Sequence, residues 1–360
     1  MKKSFIFLLS IGMLAFTACS DDDTAAAGPQ APLNSALLQP STGGPGQPNS
    51  VYVDLSNGGM ASAARTSWDL GFYSGTDFRI VLNSSLKMSA KQLSSNNIDE
   101  VVTADDTMLI VQGQGFANQV DDPTGNISGT AIAAVSVNDA DNKVYLINLG
   151  NGPATTAPAV GAESSASGPH RGWKKVRVLR SGNGYKVQYA DINSTTHQEV
   201  IINKDAVYNF TFFSLTTNST VAVEPQKSGW DIVFTTFTNV IASGPSQVPY
   251  YYPDYILTNT KGGAQSYQVM IADGVTYENF TLAQVNAANL NADQRNIGSN
   301  WRATSVMGPG GFPISQFVLK TDRFFVVKDT DGNIYKVRMT GGANQAGERG
   351  FPAFQYELLH

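Results

Sequence analysis

Phe324-Phe325-Val326-Val327-Lys328-Asp329-Thr330-Asp331-Gly332-Asn333-Ile334-Tyr335-Lys336-Val337-Arg338-Met339 reads as a β-hairpin. Phe324 to Val327 is a run of apolar strand formers, and Asp331-Gly332-Asn333 supplies residues that tolerate the positive φ of a tight turn. Beyond the turn Tyr335, Val337 and Met339 alternate with Lys336 and Arg338, which buries one face and wets the other. Working outward, Val51-Tyr52-Val53-Asp54-Leu55, Met108-Leu109-Ile110-Val111, Val144-Tyr145-Leu146-Ile147 and Tyr208 to Phe213 carry the same β-branched and aromatic bias. A short helix is expected over Leu282 to Leu290, and no long amphipathic or heptad pattern occurs. The expected class is all-β, with antiparallel sheets.

The chain also repeats itself. Trp68-Asp69-Leu70-Gly71-Phe72 is echoed by Trp230-Asp231-Ile232-Val233-Phe234, and each motif is followed by an aromatic-containing stretch ending in an asparagine, Asn83 or Asn259. Gly182-Asn183-Gly184 before Tyr185-Lys186-Val187 matches the turn before Tyr335-Lys336-Val337. Several motifs in shared order indicate a duplication. Two homologous domains are expected, 51–200 and 201–360, meeting between Asn193 and Tyr208. The strand Tyr208 to Phe213 either closes the first or opens the second. Each tryptophan is expected to anchor a core, with its aspartate turned to the other face to cap a turn or bind a backbone donor.

The N-terminus reads as a secretory signal over 1–18. Lys2 and Lys3 precede an apolar run from Phe5 to Phe16, and the small residues Thr17 and Ala18 precede Cys19, the only cysteine of the chain. That position makes Cys19 the expected site of lipid attachment after cleavage. Residues 19–50 are rich in Ala, Gly, Pro, Ser and Gln without aromatics, so a lipidated N-terminus and flexible tether are expected there. With 15% charged residues and a net charge of −5, there is no electrostatic footprint for nucleic acid. Three histidines, His170, His197 and His360, and no spare cysteine argue against a dedicated metal centre. No Ser-His-Asp order or phosphate loop is present, so an enzyme is not expected.

From the second half outward the sequence resembles the HmuY family, all-β lipoproteins of Bacteroidetes that take up haem on the cell surface. The resemblance rests on Phe212-Phe213-Ser214-Leu215, on Ser228-Gly229-Trp230-Asp231-Ile232, on Arg323 to Met339 and on Phe354-Gln355-Tyr356. Val51 to Asn193 looks like a more divergent copy. The Ser20-Asp21-Asp22-Asp23 stretch resembles the surface-export tag of such lipoproteins. The resemblance implies an outer-membrane lipoprotein that binds haem through axial side chains and delivers it to a TonB-dependent receptor. One family ligand stands a few residues after a tryptophan and just before a Gly-Pro turn. Trp301 and Met307-Gly308-Pro309-Gly310 supply that context, so Met307 is the implied axial ligand. Asn286 to Asn300, where the other ligand loop would lie, holds neither His nor Met; Met270 and His170 are the weaker candidates. The alternative is a non-haem binding or adhesive module, in which Trp173 and Tyr250-Tyr251-Tyr252 contact a sugar or a protein.

Overall fold

The computed structural model describes residues 32–111 and 114–360. Cys19 and the signal segment therefore lie outside the described residues. In chain order the first half holds β1 (Ser35–Leu38), β2 (Asn49–Val53), β3 (Met60–Ala64), β4 (Leu70–Tyr73), β5 (Ile80–Leu82), β6 (Ser89–Gln92), β7 (Tyr145–Asn148), β8 (Trp173–Ser181), β9 (Gly184–Asp191) and β10 (Gln198–Ile202). The second holds β11 (Phe210–Ser214), β12 (Ser219–Val221), β13 (Ile232–Ser243), β14 (Ser246–Thr258), β15 (Gln265–Met270), β16 (Arg302–Met307), β17 (Pro313–Leu319), β18 (Arg323–Lys328), β19 (Ile334–Ala343) and β20 (Arg349–Leu358). The pairings between them are antiparallel, and the helical turns are short 3-10 segments. The all-β expectation holds.

The sheets come in matched pairs. Two five-stranded sheets run β10-β9-β8-β7-β6 and β1-β20-β19-β18-β15; two four-stranded sheets run β12-β11-β4-β5 and β14-β13-β2-β3. The expected hairpins are β8-β9 and β18-β19, with Tyr185 and Tyr335 at equivalent, fully buried positions. The four-stranded sheets are not assembled in chain order. Strand β4, which follows Trp68-Asp69, pairs with β11 from the second half, while β13, which follows Trp230-Asp231, pairs with β2 from the first. Each half thus lends its leading hairpin, β2-β3 or β11-β12, to the other. The strand at Tyr208 to Phe213 opens the second copy in sequence and completes the first in space.

Alternation along the lent strands enforces this exchange. Val51, Val53 and Leu55 point into the core of the second half with Ile232, Phe234 and Val337, whereas Phe213 and Leu215 point into the core of the first with Leu70, Phe72 and Tyr185. Their neighbours Tyr52 and Phe212 face the other way, into a shared cluster with Trp230, Val223 and Val233.

Three expectations need correction. Residues 32–50 are not a free tether. Strand β1 pairs with β20, Ala36 and Leu38 pack on the second-half core, and buried Gln47 exchanges hydrogen bonds with Asp254. A segment poor in apolar residues needs no core of its own when a neighbouring sheet edge and its core accept it. The second is Met108 to Val111, which forms no strand. Asp106–Met108 is a 3-10 turn capped by Asp105, and the Met108 carbonyl is taken by the side chains of Ser89 and Asn148. The expected helix over Leu282 to Leu290 is likewise reduced to two 3-10 turns, Leu282–Gln284 and Ala287–Asn289.

Candidate functional site

The two Trp-Asp motifs are equivalent nodes. Asp69 Oδ2 accepts from the Leu215 backbone N–H at 2.7 Å, and Asp231 Oδ2 accepts from the Leu55 N–H at 2.8 Å, so each aspartate holds the hairpin lent by the other half. The asparagines close the nodes: Asn83 Nδ2 donates to the carbonyls of Arg65 and Trp68, and Asn259 Nδ2 to those of Lys227 and Trp230. Trp68 stacks edge-on against Phe212 at 4.7 Å and Trp230 against Tyr52 at 5.0 Å. The nodes differ in charge. Asp69 is paired with Arg171 at 2.7 Å, whereas among the described residues the Asp231 carboxylate has no cation, and its second oxygen accepts from the Thr330 N–H and hydroxyl. Burial accordingly pushes the Asp231 carboxyl up to about 7. The buried Glu224, held by the backbone N–H groups of Asn209 and Phe210, is pushed up by burial to about 8.

These shifts have a sign. Both carboxyls have folded pKa values above their ordinary ones, so between about pH 4 and pH 7 the folded state holds more protons than the unfolded state. Stability therefore falls as pH rises through that window. The melting temperature is expected to be higher at pH 5 than at pH 8, with a shallower slope in Glu224→Gln; an equal slope in wild type and variant would contradict this assignment.

Met307 ends β16 and stands on a two-stranded finger made with β17, opposite Pro313. Gly308 donates its N–H to the Phe312 carbonyl, and Gly311 takes φ 75° to turn the chain. Around this tip Met307, Phe312 and Ile314 are exposed, at 68%, 77% and 47%. The finger is rooted by Trp301, which is buried and stacks edge-on with Phe317 at 5.8 Å. Gly342 makes room for that pair, since a Cβ there would lie 2.3 Å from the Phe317 ring and 2.7 Å from the Trp301 ring. Gly342→Ala is expected to destabilise the protein by roughly 1–3 kcal/mol through overpacking, checked by urea unfolding.

The structure does not gather the three sequence candidates. Met270 is half-exposed at the end of β15, where its sulfur accepts from Gln268 Nε2 at 3.2 Å. His170 lines a separate pocket of about 730 Å³, which neither methionine lines. Its Nε2 bonds the Asn148 side-chain oxygen at 2.8 Å and its Nδ1 accepts from the Gly172 N–H at 3.3 Å, so both ring nitrogens are engaged. Burial lowers its pKa. Among the described residues no group of three or more His, Cys, Asp or Glu side chains is placed to hold a metal ion.

The HmuY family model matches the sequence twice, over residues 46–208 and 206–356. The chain belongs to the HmuY family. The two matches support the tandem copies expected from the sequence, and the paired sheets are their structural counterpart. Among curated proteins the sequence has no match. Among solved structures it is similar to a protein of Bacteroides vulgatus described as HmuY-like and haem-binding, at 8% identity over 90% of this chain and 91% of that one, with a TM-score of 0.22. It is also similar to the apo HmuY analog of Tannerella forsythia, at 17% identity over 52% and 96% with a TM-score of 0.20. Apo PinO of Porphyromonas gingivitis matches at 13% identity over 51% and 94%, with a TM-score of 0.20. At these scores no residue is transferred from any of them.

Within the HmuY framework the connections β7 to β8 and β15 to β18 occupy the same place in the two halves, each entering the central hairpin. The first carries Gly168-Pro169-His170, the second the finger with Met307-Gly308-Pro309. The sequence names Trp173 and Tyr250-Tyr251-Tyr252 as a possible contact strip; the structure places Trp173, Tyr250 and Tyr251 on the His170 pocket, while Tyr252 lines a different one. It missed Lys87, which shares that pocket. The only available signal was a lysine in a Ser-Ser-Leu-Lys stretch following Asn83, too ordinary to single out.

Proposed function

We propose that this HmuY-family chain is a haem-binding lipoprotein of the cell surface, anchored to the outer membrane through Cys19 and passing haem to a TonB-dependent receptor for iron acquisition. It acts as a binding protein and not as an enzyme. The observation that carries this reading is the family match over both halves. Met307 is the proposed axial ligand. Its thioether is exposed on a finger whose neighbours Phe312 and Ile314 are exposed too, and a cluster of uncovered apolar side chains at one tip marks a surface that something covers. A neutral thioether is a soft ligand that favours ferrous iron. Met270 and His170 are the weaker candidates, and each would have to give up a hydrogen bond to reach iron. Among the described residues no helix is long and apolar enough to cross a membrane.

Titration of the full chain with haem under reducing conditions, followed by quenching of tryptophan fluorescence, tests the reading. Saturable binding weakened at least tenfold in Met307→Ala is expected; equal affinity in the two would place the ligand elsewhere. For the anchor, metabolic labelling with a fatty-acid probe should be lost in Cys19→Ala. Labelling that persists in that variant would remove the lipoprotein assignment.

A further inference from the structure

We propose that the pocket beside Lys87 binds a flat, carboxylate-bearing ring compound, at a place separate from Met307. The pocket measures about 730 Å³, within the range of roughly 300–1,000 Å³ usual for small-molecule sites. Its cation is under-partnered. Lys87 is only 6% exposed, yet among the described residues the one hydrogen bond of its ammonium is to the Ser164 carbonyl at 3.5 Å, and no carboxylate lies within ion-pairing distance of it. An ammonium has three donors to place, and a buried cation without an anion is costly. The guanidinium of Arg65 lies close enough to depress the Lys87 pKa, but its own donors are spent on the backbone of Gln47, Ser85 and Gly46. Asp106 also lines the pocket, where it acts on His170 and not on Lys87, so an incoming carboxylate is drawn to the Lys87 side.

The remaining walls suit a ring. The Lys87 ammonium lies 4.5 Å from the centre of the Tyr251 ring, and Trp173 and Tyr250 add further aromatic surface beside the aliphatic Leu109 and Ile110. The turn that aims Lys87 is built at a cost. Lys87 sits at φ 62°, a left-handed conformation that a residue other than glycine or asparagine seldom takes. The turn is clamped by Asn151, whose N–H donates to the Leu86 carbonyl, and by Gly150, where a Cβ would overlap that same oxygen.

Two sources share this chemistry, the propionate edge of a tetrapyrrole and a free aromatic acid. The test uses the full chain in mild detergent and calorimetric titration with two matched pairs: 2-naphthoate against 2-naphthamide, and metal-free protoporphyrin IX against its dimethyl ester. At least one acid should bind tenfold or more tighter than its neutral partner. Lys87→Asn, which tolerates the left-handed turn, should erase that preference, while Met307→Ala should leave it intact. Trp173→Leu should weaken acid and neutral members alike. Preference for naphthoate alone assigns the site to free aromatic acids, and preference for protoporphyrin alone to a tetrapyrrole edge. No binding by either acid, equal binding within both pairs, or a preference that survives Lys87→Asn would overturn the proposal. Because the haem reading is measured at Met307, either can fail without the other.

Discussion

Produced as two separate polypeptides, residues 32–205 and 206–360, the halves are expected to fold only in each other's presence. Cutting there frees the hairpins that the halves lend each other. Strand β4 loses β11, and β13 loses β2, leaving two sheets with open edges and unpaired backbone donors. The second half also loses Val51, Val53 and Leu55 from its core, each of them at most 3% exposed. At about 1.5–3 kcal/mol for each buried side chain, that loss is roughly 5–9 kcal/mol, comparable to the whole stability of an ordinary domain. Circular dichroism of either half alone should show no cooperative unfolding. An equimolar mixture should elute as a one-to-one complex with a sharp transition. A cooperative melt from an isolated half would show that the exchanged hairpin is dispensable.

Replacing Asp69 is expected to cost more than replacing its counterpart Asp231. Asp69→Ala removes the acceptor for the Leu215 N–H and strips Arg171, 11% exposed at its side chain, of its counter-ion. Stranding a buried charge of this kind costs about 3–5 kcal/mol. Asp231→Ala strands the Leu55 and Thr330 N–H groups but no charge, and Asp231 itself has a raised pKa, so about 1–3 kcal/mol is expected. Urea unfolding of both variants checks the order. In the double variant Asp69→Ala with Arg171→Ala, part of the loss should be recovered; a purely additive loss would show that the ion pair contributes nothing.

Much of this architecture was legible in the sequence because it is local. The hairpin from Phe324 to Met339 shows its alternation within sixteen residues, and the Trp-Asp and asparagine motifs recur in order because each node is built from nearby chain. The exchange was not legible. Val51-Tyr52-Val53 reads identically as a strand whichever tryptophan motif it pairs with, and the partner is fixed by contacts some 180 residues away. Residues 32–50 escape a local reading for the same reason, since their stability resides in β20 and Gly350, near the far end of the chain, and in Asp254, 207 residues from Gln47. The Lys87 pocket draws on five segments, around residues 87, 109, 151, 170 and 250, none of which carries a motif alone. Met307, by contrast, was named from a short motif, and the structure adds only that it stands exposed on a finger.

The most direct test of the haem assignment is the absorbance spectrum of the purified full chain titrated with haem in both redox states. The expected result is a saturable Soret change, tighter for ferrous than for ferric haem, with the band shifted in Met307→Ala because one iron–sulfur bond is lost. A titration of the wild type with no saturable spectrum in either state would contradict the assignment and leave a non-haem surface binding module in its place.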